Sequence, residues 1–98
     1  MQQRSAKDNG IVLYNQHKAI SAIPFLTIAA EAGDHEAQYY LAEALRTKNH
    51  YVDPDARSWY EASANQGDLY AMIQLGRIEI YAISLKAVLL LRKSQLSG

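Results

Sequence analysis

Residues 29–37 read Ala-Ala-Glu-Ala-Gly-Asp-His-Glu-Ala, and a copy of this stretch returns at residues 63–71 as Ser-Ala-Asn-Gln-Gly-Asp-Leu-Tyr-Ala. Four pairs of residues recur at a constant spacing of 34: Gly33 and Gly67, Asp34 and Asp68, Ala37 and Ala71, and Leu41 and Leu75. In each copy the glycine can end one helix in the left-handed conformation, and the aspartate after it can cap the next helix. Two such corners at a fixed period predict an array of helical repeats.

The segments around these corners predict a chain of helices, because apolar residues recur in them at intervals of three and four. Pro24 suits only a first helical turn, so the second helix is expected to begin near Ser21. Asp53-Pro54-Asp55 is the clearest helix start. Asn49 is the residue expected to take a positive φ after the third helix. The expected helices cover residues 2–14, 21–32, 35–47, 54–66, 69–82 and 85–98.

Apolar stripes on these helices predict the core. The second helix is expected to bury Ile20, Ile23, Leu26 or Thr27, and Ala30. The third is expected to bury Ala37, Tyr40 or Leu41, Ala44 and Leu45. The fourth is expected to bury Ala56, Trp59, Tyr60 and Ser63, and the fifth Ala71, Met72, Leu75, Ile78 and Ile80. One face in each helix is apolar, so the helices must pack on one another to cover it.

The last stretch, residues 85–98, aligns with the fourth helix at an offset of 31, which places Gly98 over Gly67. It therefore looks like the second helix of a third pair. No partner helix follows it, so its aliphatic residues are expected to lack cover: Val88, Leu90 and Leu91. Three explanations remain open at this point: the chain is a fragment of a longer array, it dimerises through this end, or it folds back on itself.

The two corners resemble the Sel1-like repeat, a relative of the tetratricopeptide repeat. The matching residues are Lys18-Ala19, Phe25-Leu26, Ala29 to Asp34 and Ala37 to Ala42, then Trp59-Tyr60, Ala62 to Asp68 and Ala71 to Gly76. The resemblance implies one domain over residues 1–98, an all-α, right-handed α-solenoid of about two and a half repeats. Its units are approximately 18–47, 53–83 and a partial 85–98, after an N-terminal helix at 2–14.

The resemblance also implies function, because proteins with this repeat act as adaptors and scaffolds and bind a partner protein on a concave face. Tyrosine and arginine often anchor protein interfaces. The partner-binding residues expected on that face are Glu36, Tyr39, Glu43, Arg46, Tyr70, Ile73, Arg77 and Ile80. The alternative is a solvated face whose charges only stabilise the helices.

Two other functions stay open alongside this one. Some bacterial members of the family are immunity proteins that bind and block a secreted toxin, and this chain could act in the same way. The other function is that of a structural unit that self-associates through Val88, Leu90 and Leu91. The sequence does not decide between them.

Composition argues against several other classes of protein. Ten basic and ten acidic residues cancel, so neither nucleic acid nor an anionic membrane is an expected partner. The apolar patch Val88 to Leu91 is too short to span a bilayer. The N-terminus shows no signal peptide, which favours the cytoplasm, although the periplasm stays open if the chain is a mature form.

Chemistry-bearing residues are also sparse. The chain has no cysteine, and His17, His35 and His50 do not share a helix face, so no metal site is expected. Helix capping explains Asp53 and Asp55. No nucleophile motif or phosphate-binding loop is present, so neither catalysis nor a cofactor is expected.

Overall fold

The computed structural model describes residues 3–97, and these residues form five α-helices. They are α1 (Gln3–Asn15), α2 (Ala19–Glu31), α3 (His35–Asn49), α4 (Pro54–Asn65) and α5 (Leu69–Ser97). Each helix packs against the next one in the chain, and α1 also contacts α3. The expected all-α fold is confirmed. The bounds of α1 to α4 agree with the sequence prediction to within about two residues.

The two glycine–aspartate corners form as predicted. Gly33 and Gly67 take positive φ values of 99° and 94°. A side chain at either position would meet no described atom within 4 Å, so the backbone conformation, and not space, requires glycine there. Asp34 and Asp68 each accept a hydrogen bond from the amide nitrogen three residues further on, at 2.9 Å in both cases. Each aspartate therefore caps the helix that follows it.

The other two turns use histidine in the left-handed conformation. His17 and His50 both have φ of 64°. The expectation that Asn49 would take this role is wrong, because α3 continues through Asn49. The Asn49 side chain instead donates a hydrogen bond to Asp53 Oδ2 at 2.7 Å.

Helix α2 begins at Ala19, two residues before the expected start near Ser21, so the expectation that Pro24 lies in the first turn is wrong. Its first backbone hydrogen bond runs from Ala22 N to Lys18 O at 3.0 Å, directly after the turn at His17. Pro24 therefore lies inside the helix, where it removes one amide donor. The helix nevertheless continues to Glu31.

Small side chains dominate the core, which lets the helices approach closely. Leu26, Leu41 and Tyr60 are fully buried among alanines from all five helices. Most of the predicted core residues are buried or half-buried. The prediction that Ile20, Met72 and Ile80 are buried is wrong, because they are 69%, 44% and 66% exposed. In α2 the buried face is instead carried by Ala19, Ala22, Leu26, Ala29 and Ala30.

Gly10 of α1 lies against Leu26 of α2. A Cβ atom on Gly10 would lie 2.7 Å from Leu26 Cγ and Cδ2 and 3.1 Å from the Leu26 backbone nitrogen. These distances are shorter than van der Waals contact. The absence of a side chain at residue 10 therefore sets how closely the first two helices pack.

The separate last helix expected at residues 85–98 is wrong, because α5 runs without a break from Leu69 to Ser97. Residues 83–84 are Ile-Ser, so the glycine and aspartate that make the other corners are missing there. The partial third unit is thus the second half of a single helix, and Gly98 lies outside the described residues. Every side chain from Tyr81 to Leu96 is exposed. The helix extends well beyond α4 and makes the molecule 62 Å long but only 26 by 17 Å across.

Candidate functional site

A shallow groove lies between the first half of α3 and the start of α5. It contains three of the eight residues predicted to bind a partner: Glu36, Tyr39 and Tyr70. Its volume is about 250 Å³, and its other lining residues are His35, Tyr40, Gly67, Asp68 and Leu69. We call this site the tyrosine groove.

Tyr39 is the centre of a cluster of aromatic rings. Its ring centroid lies 5.9 Å from that of Tyr70, 5.4 Å from that of Tyr40 and 6.2 Å from that of Tyr60. Tyr40 makes an edge-on contact at 5.5 Å with Tyr14. These spacings are those of stabilising aromatic pairs. Tyr39 is half-buried whereas Tyr70 is 68% exposed, so the cluster presents a fixed aromatic surface to solvent.

Glu43 does not lie on the predicted binding surface, because it is only 3% exposed. Its Oε1 atom accepts a hydrogen bond from Gln74 Nε2 at 2.7 Å, and its Oε2 atom accepts one from the Arg46 guanidinium group. Burial alone would raise the pKa of Glu43, but hydrogen bonds from Arg46, Gln74 and Tyr39 lower it below the ordinary value. Glu43 therefore supports the groove from beneath, and a partner cannot reach its carboxylate.

The hydroxyl groups beneath the groove stay neutral. Burial and the hydrogen bond to Glu43 raise the pKa of Tyr39 far above its ordinary value. Burial and the charge of Glu43 raise the pKa of Tyr60 to about 12, against the opposing effect of Arg46. Arg46 Nε donates to the Tyr60 hydroxyl at 3.3 Å. Arg46 is therefore held beneath the groove by Glu43 and Tyr60, although its side chain is partly exposed.

The remaining predicted contact residues lie elsewhere on α5. Ile73 and Ile80 are 58% and 66% exposed but do not line the tyrosine groove. Arg77 lines a separate apolar notch of about 530 Å³, together with Tyr51, Val52, Ile78, Tyr81 and Ala82. The eight residues thus do not form one surface.

A pair that sequence reasoning missed is His35 with Asp68. His35 Nδ1 lies 2.9 Å from Asp68 Oδ2, while the other oxygen of Asp68 caps α5. The Ser63 hydroxyl donates to the backbone oxygen of His35 at 2.6 Å, so it is not bonded to the imidazole ring. Asp34 has the same double role in the first corner, where its Oδ2 accepts from Lys7 Nζ at 3.1 Å.

The part of the chain that the structure describes holds no group of three or more histidine, aspartate or glutamate side chains arranged to bind a metal ion. None of the described helices is long and apolar enough to cross a membrane. The residues predicted for self-association are all exposed: Val88 at 52%, Leu90 at 59% and Leu91 at 65%.

Comparisons of this chain with protein-family models, with curated proteins and with solved structures find no match. The resemblance to Sel1-like repeats therefore stays a prediction from the corner residues.

Proposed function

We propose that this chain is a non-catalytic protein-binding module, a short right-handed α-solenoid related to Sel1-like repeats, and that the tyrosine groove holds a segment of a partner protein. The packing of each helix on the next and the contact between α1 and α3 support a stacked arrangement. Helices that are already folded and packed lose little conformational entropy on binding.

The observation that carries the proposal is the pairing of Tyr39 with Tyr70 at 5.9 Å. Tyr70 exposes a large ring, and Tyr39 is fixed from below by Glu43. Tyrosines surrounded by a polar rim are typical of the anchor points in protein interfaces. A groove of about 250 Å³ accommodates one large side chain of a partner and not a whole helix.

The test uses a photo-reactive amino acid at position 36, which lines the groove, and at position 58 on the exposed face of α4 as the matched control. We expect a defined protein adduct from position 36 in a native lysate and not from position 58. Tyr70→Ala should reduce that adduct at least tenfold, whereas Tyr51→Ala, which removes an exposed ring outside the groove, should leave it unchanged.

Equal adducts from both positions, or an adduct that Tyr70→Ala does not reduce, would eliminate the groove as the binding site. The identity of the adduct also separates an adaptor from an immunity protein. A secreted toxin in the adduct would assign the second role.

A further inference from the structure

The outward face of α5 carries a continuous apolar stripe. Helix α5 packs on the rest of the chain through Ala71, Leu75 and Ile78. On the far side of the helix, about 140° away at 100° per residue, residues recur at alternating intervals of four and three. We call them the outer seam: Leu69, Ile73, Gly76, Ile80, Ile83, Ala87, Leu90 and Ser94.

The outer seam has the spacing of a coiled coil but nothing within residues 3–97 covers it. Alternating steps of three and four residues are the a and d positions of heptads. All eight residues are exposed. Ile73, Ile80, Ile83 and Leu90 are between 58% and 66% exposed. A stripe of this kind on a helix that already packs through its opposite side indicates a second helical partner.

The seam is complementary to itself in the antiparallel direction. Reversing the helix about the midpoint between Tyr81 and Ala82 exchanges the members of four pairs: Leu69 with Ser94, Ile73 with Leu90, Gly76 with Ala87, and Ile80 with Ile83. Aliphatic residues meet in the pairs Ile73 with Leu90 and Ile80 with Ile83, the two small residues meet each other, and Leu69 meets Ser94 at the ends of the seam. Each pair also joins an a position to a d position, as antiparallel coiled coils require.

Gly76 has no explanation within the single chain. A glycine in a helix interior costs about 1 kcal/mol relative to alanine, and a Cβ atom there would meet no described atom within 4 Å. In the antiparallel arrangement Gly76 faces Ala87 of the second helix. Two small residues at one level let the helix axes approach closely.

The residues beside the seam are complementary as well. The same antiparallel alignment places Glu79 of one chain beside Lys86 of the other, and Tyr70 beside Leu91. Opposite charges at the flanking positions of a heptad set the orientation of paired helices. Glu79 already contacts Arg57 of its own chain, and a second cation at this carboxylate adds to that pairing.

The contact area favours overlap along the whole helix. A seam from residue 69 to 94 is about 39 Å long, and a helix with its side chains is about 10–12 Å wide, which gives about 400–470 Å² per chain and about 800–900 Å² in total. That total is in the range of small, reversible interfaces. Overlap of the projecting halves alone gives only about half as much.

We propose that a second copy of this chain covers the outer seam, with the two α5 helices antiparallel and the twofold axis between Tyr81 and Ala82. The two helical bodies then lie at opposite ends of a central helix pair. Of the three residues expected to mediate self-association, Leu90 lies in the seam, Leu91 flanks it and Val88 lies off it. Leu69 and Tyr70 also line the tyrosine groove, so the second copy lies at the edge of that groove.

The experiment measures molar mass by light scattering at about 100 µM, with helix content by circular dichroism. We expect the wild-type chain to have twice the mass of one chain, and Ile73→Glu to give the mass of one chain with unchanged helix content. Val88→Glu, at an exposed position of α5 that lies off the seam, is the control and should remain dimeric. A monomeric wild type, or equal loss of dimer in both variants, would overturn the proposal.

Orientation is tested with single cysteines, since the chain has none of its own. We expect a disulfide-linked dimer when Ile73→Cys and Leu90→Cys chains are mixed, and at least tenfold less when either is oxidised alone. Ser58→Cys mixed with Leu90→Cys is the control and should not cross-link. Efficient cross-linking of Ile73→Cys alone would show a parallel pair and overturn the proposal. A monomeric wild type that floats with phosphatidylcholine vesicles would assign the seam to a lipid surface instead.

Discussion

Glu43 of α3 and Gln74 of α5 are joined by a hydrogen bond of 2.7 Å between Glu43 Oε1 and Gln74 Nε2. These two helices are not consecutive in the chain, so the bond joins parts of the fold that are distant in sequence. Glu43 is almost fully buried and receives donors from Arg46 and Tyr39 as well. All the hydrogen-bond partners of this carboxylate are donors. An amide in its place would turn its NH₂ group, which is itself a donor, toward one of these donors.

We therefore expect Glu43→Gln to lower the free energy of unfolding by about 1–3 kcal/mol, measured by urea denaturation at pH 7. Glu61→Gln is the matched control, because Glu61 pairs with Arg57 on the exposed surface. That substitution should change the stability by less than about 0.5 kcal/mol. Equal effects of the two substitutions would contradict a structural role for Glu43.

Acid should weaken the fold in a defined pH range. The pKa of Glu43 lies below its ordinary value of 4.5, and that of Asp34 lies below 3.8. Burial opposes both shifts, and donors to the carboxylates outweigh it: Arg46 and Gln74 for Glu43, the Ala37 amide and Lys7 for Asp34. A carboxylate whose pKa is lowered by folding contributes stability above its ordinary pKa and loses that contribution as the pH falls through the lowered value.

Melting temperatures measured from pH 7 to pH 3 should therefore be nearly constant above pH 5, as far as these two groups are concerned, and should fall below about pH 4.5. Glu43→Gln should show a smaller decrease over that range, because the titrating group has been removed. Parallel curves for the wild type and the variant would show that Glu43 does not contribute to acid sensitivity.

Local signals explain why so much of the fold was predictable. Gly33 and Asp34 act on the backbone within four residues of themselves, so the end of α2 and the start of α3 follow from the sequence directly. Glu43 could not be predicted in this way. In the sequence, Glu43 and Arg46 are typical of an ion pair on a solvated helix face. The burial of Glu43 depends on Gln74, which lies 31 residues further along the chain.

The groove and α5 show the same limits. Glu36, Tyr39 and Tyr70 were predicted because the resemblance places the helix after each corner on a concave face, whereas the contact of His35 with Asp68 arises only when the two corners meet in space. The prediction of a separate helix at residues 85–98 relied on the alignment of these residues with α4. It disregarded a local feature, because residues 83–84 contain no glycine to end the helix.

Gly10 should not tolerate a side chain. Alanine normally favours a helix by about 1 kcal/mol over glycine, but a Cβ atom here would lie 2.7 Å from Leu26. We expect Gly10→Ala to destabilise the chain by about 1–3 kcal/mol in urea denaturation. Asn9→Ala, at an exposed position of the same helix, should be neutral or slightly stabilising. A stabilised Gly10→Ala variant would show that α1 and α2 are not in close contact at this point.

Asp68 should matter more than an ordinary helix cap. It caps α5 through Oδ1 and contacts His35 through Oδ2, and it is only 7% exposed. We expect Asp68→Ala to lower the unfolding free energy by about 1–2 kcal/mol or more. Asp55→Ala, at an exposed position in the first turn of α4, should cost less than about 0.5 kcal/mol. A cycle with His35→Ala should show that the two substitutions are not additive, whereas additive effects would separate the histidine from the corner.

Installing the missing corner should bend α5. Glycine can end a helix and aspartate can begin the next one, as Gly33-Asp34 and Gly67-Asp68 do. We expect the double substitution Ile83→Gly and Ser84→Asp to break α5 and to let residues 85–96 fold back along residues 69–82, since that covers aliphatic side chains that are exposed in the straight helix. The measurement is the distance between spin labels at the exposed residues Gln66 and Gln95, with labelled chains diluted in unlabelled ones. It should fall from about 40 Å to about 15 Å. Ile83→Ala with Ser84→Ala is the control and should keep the long distance, and a double substitution that also keeps it would show that a glycine–aspartate pair alone does not determine where these helices end.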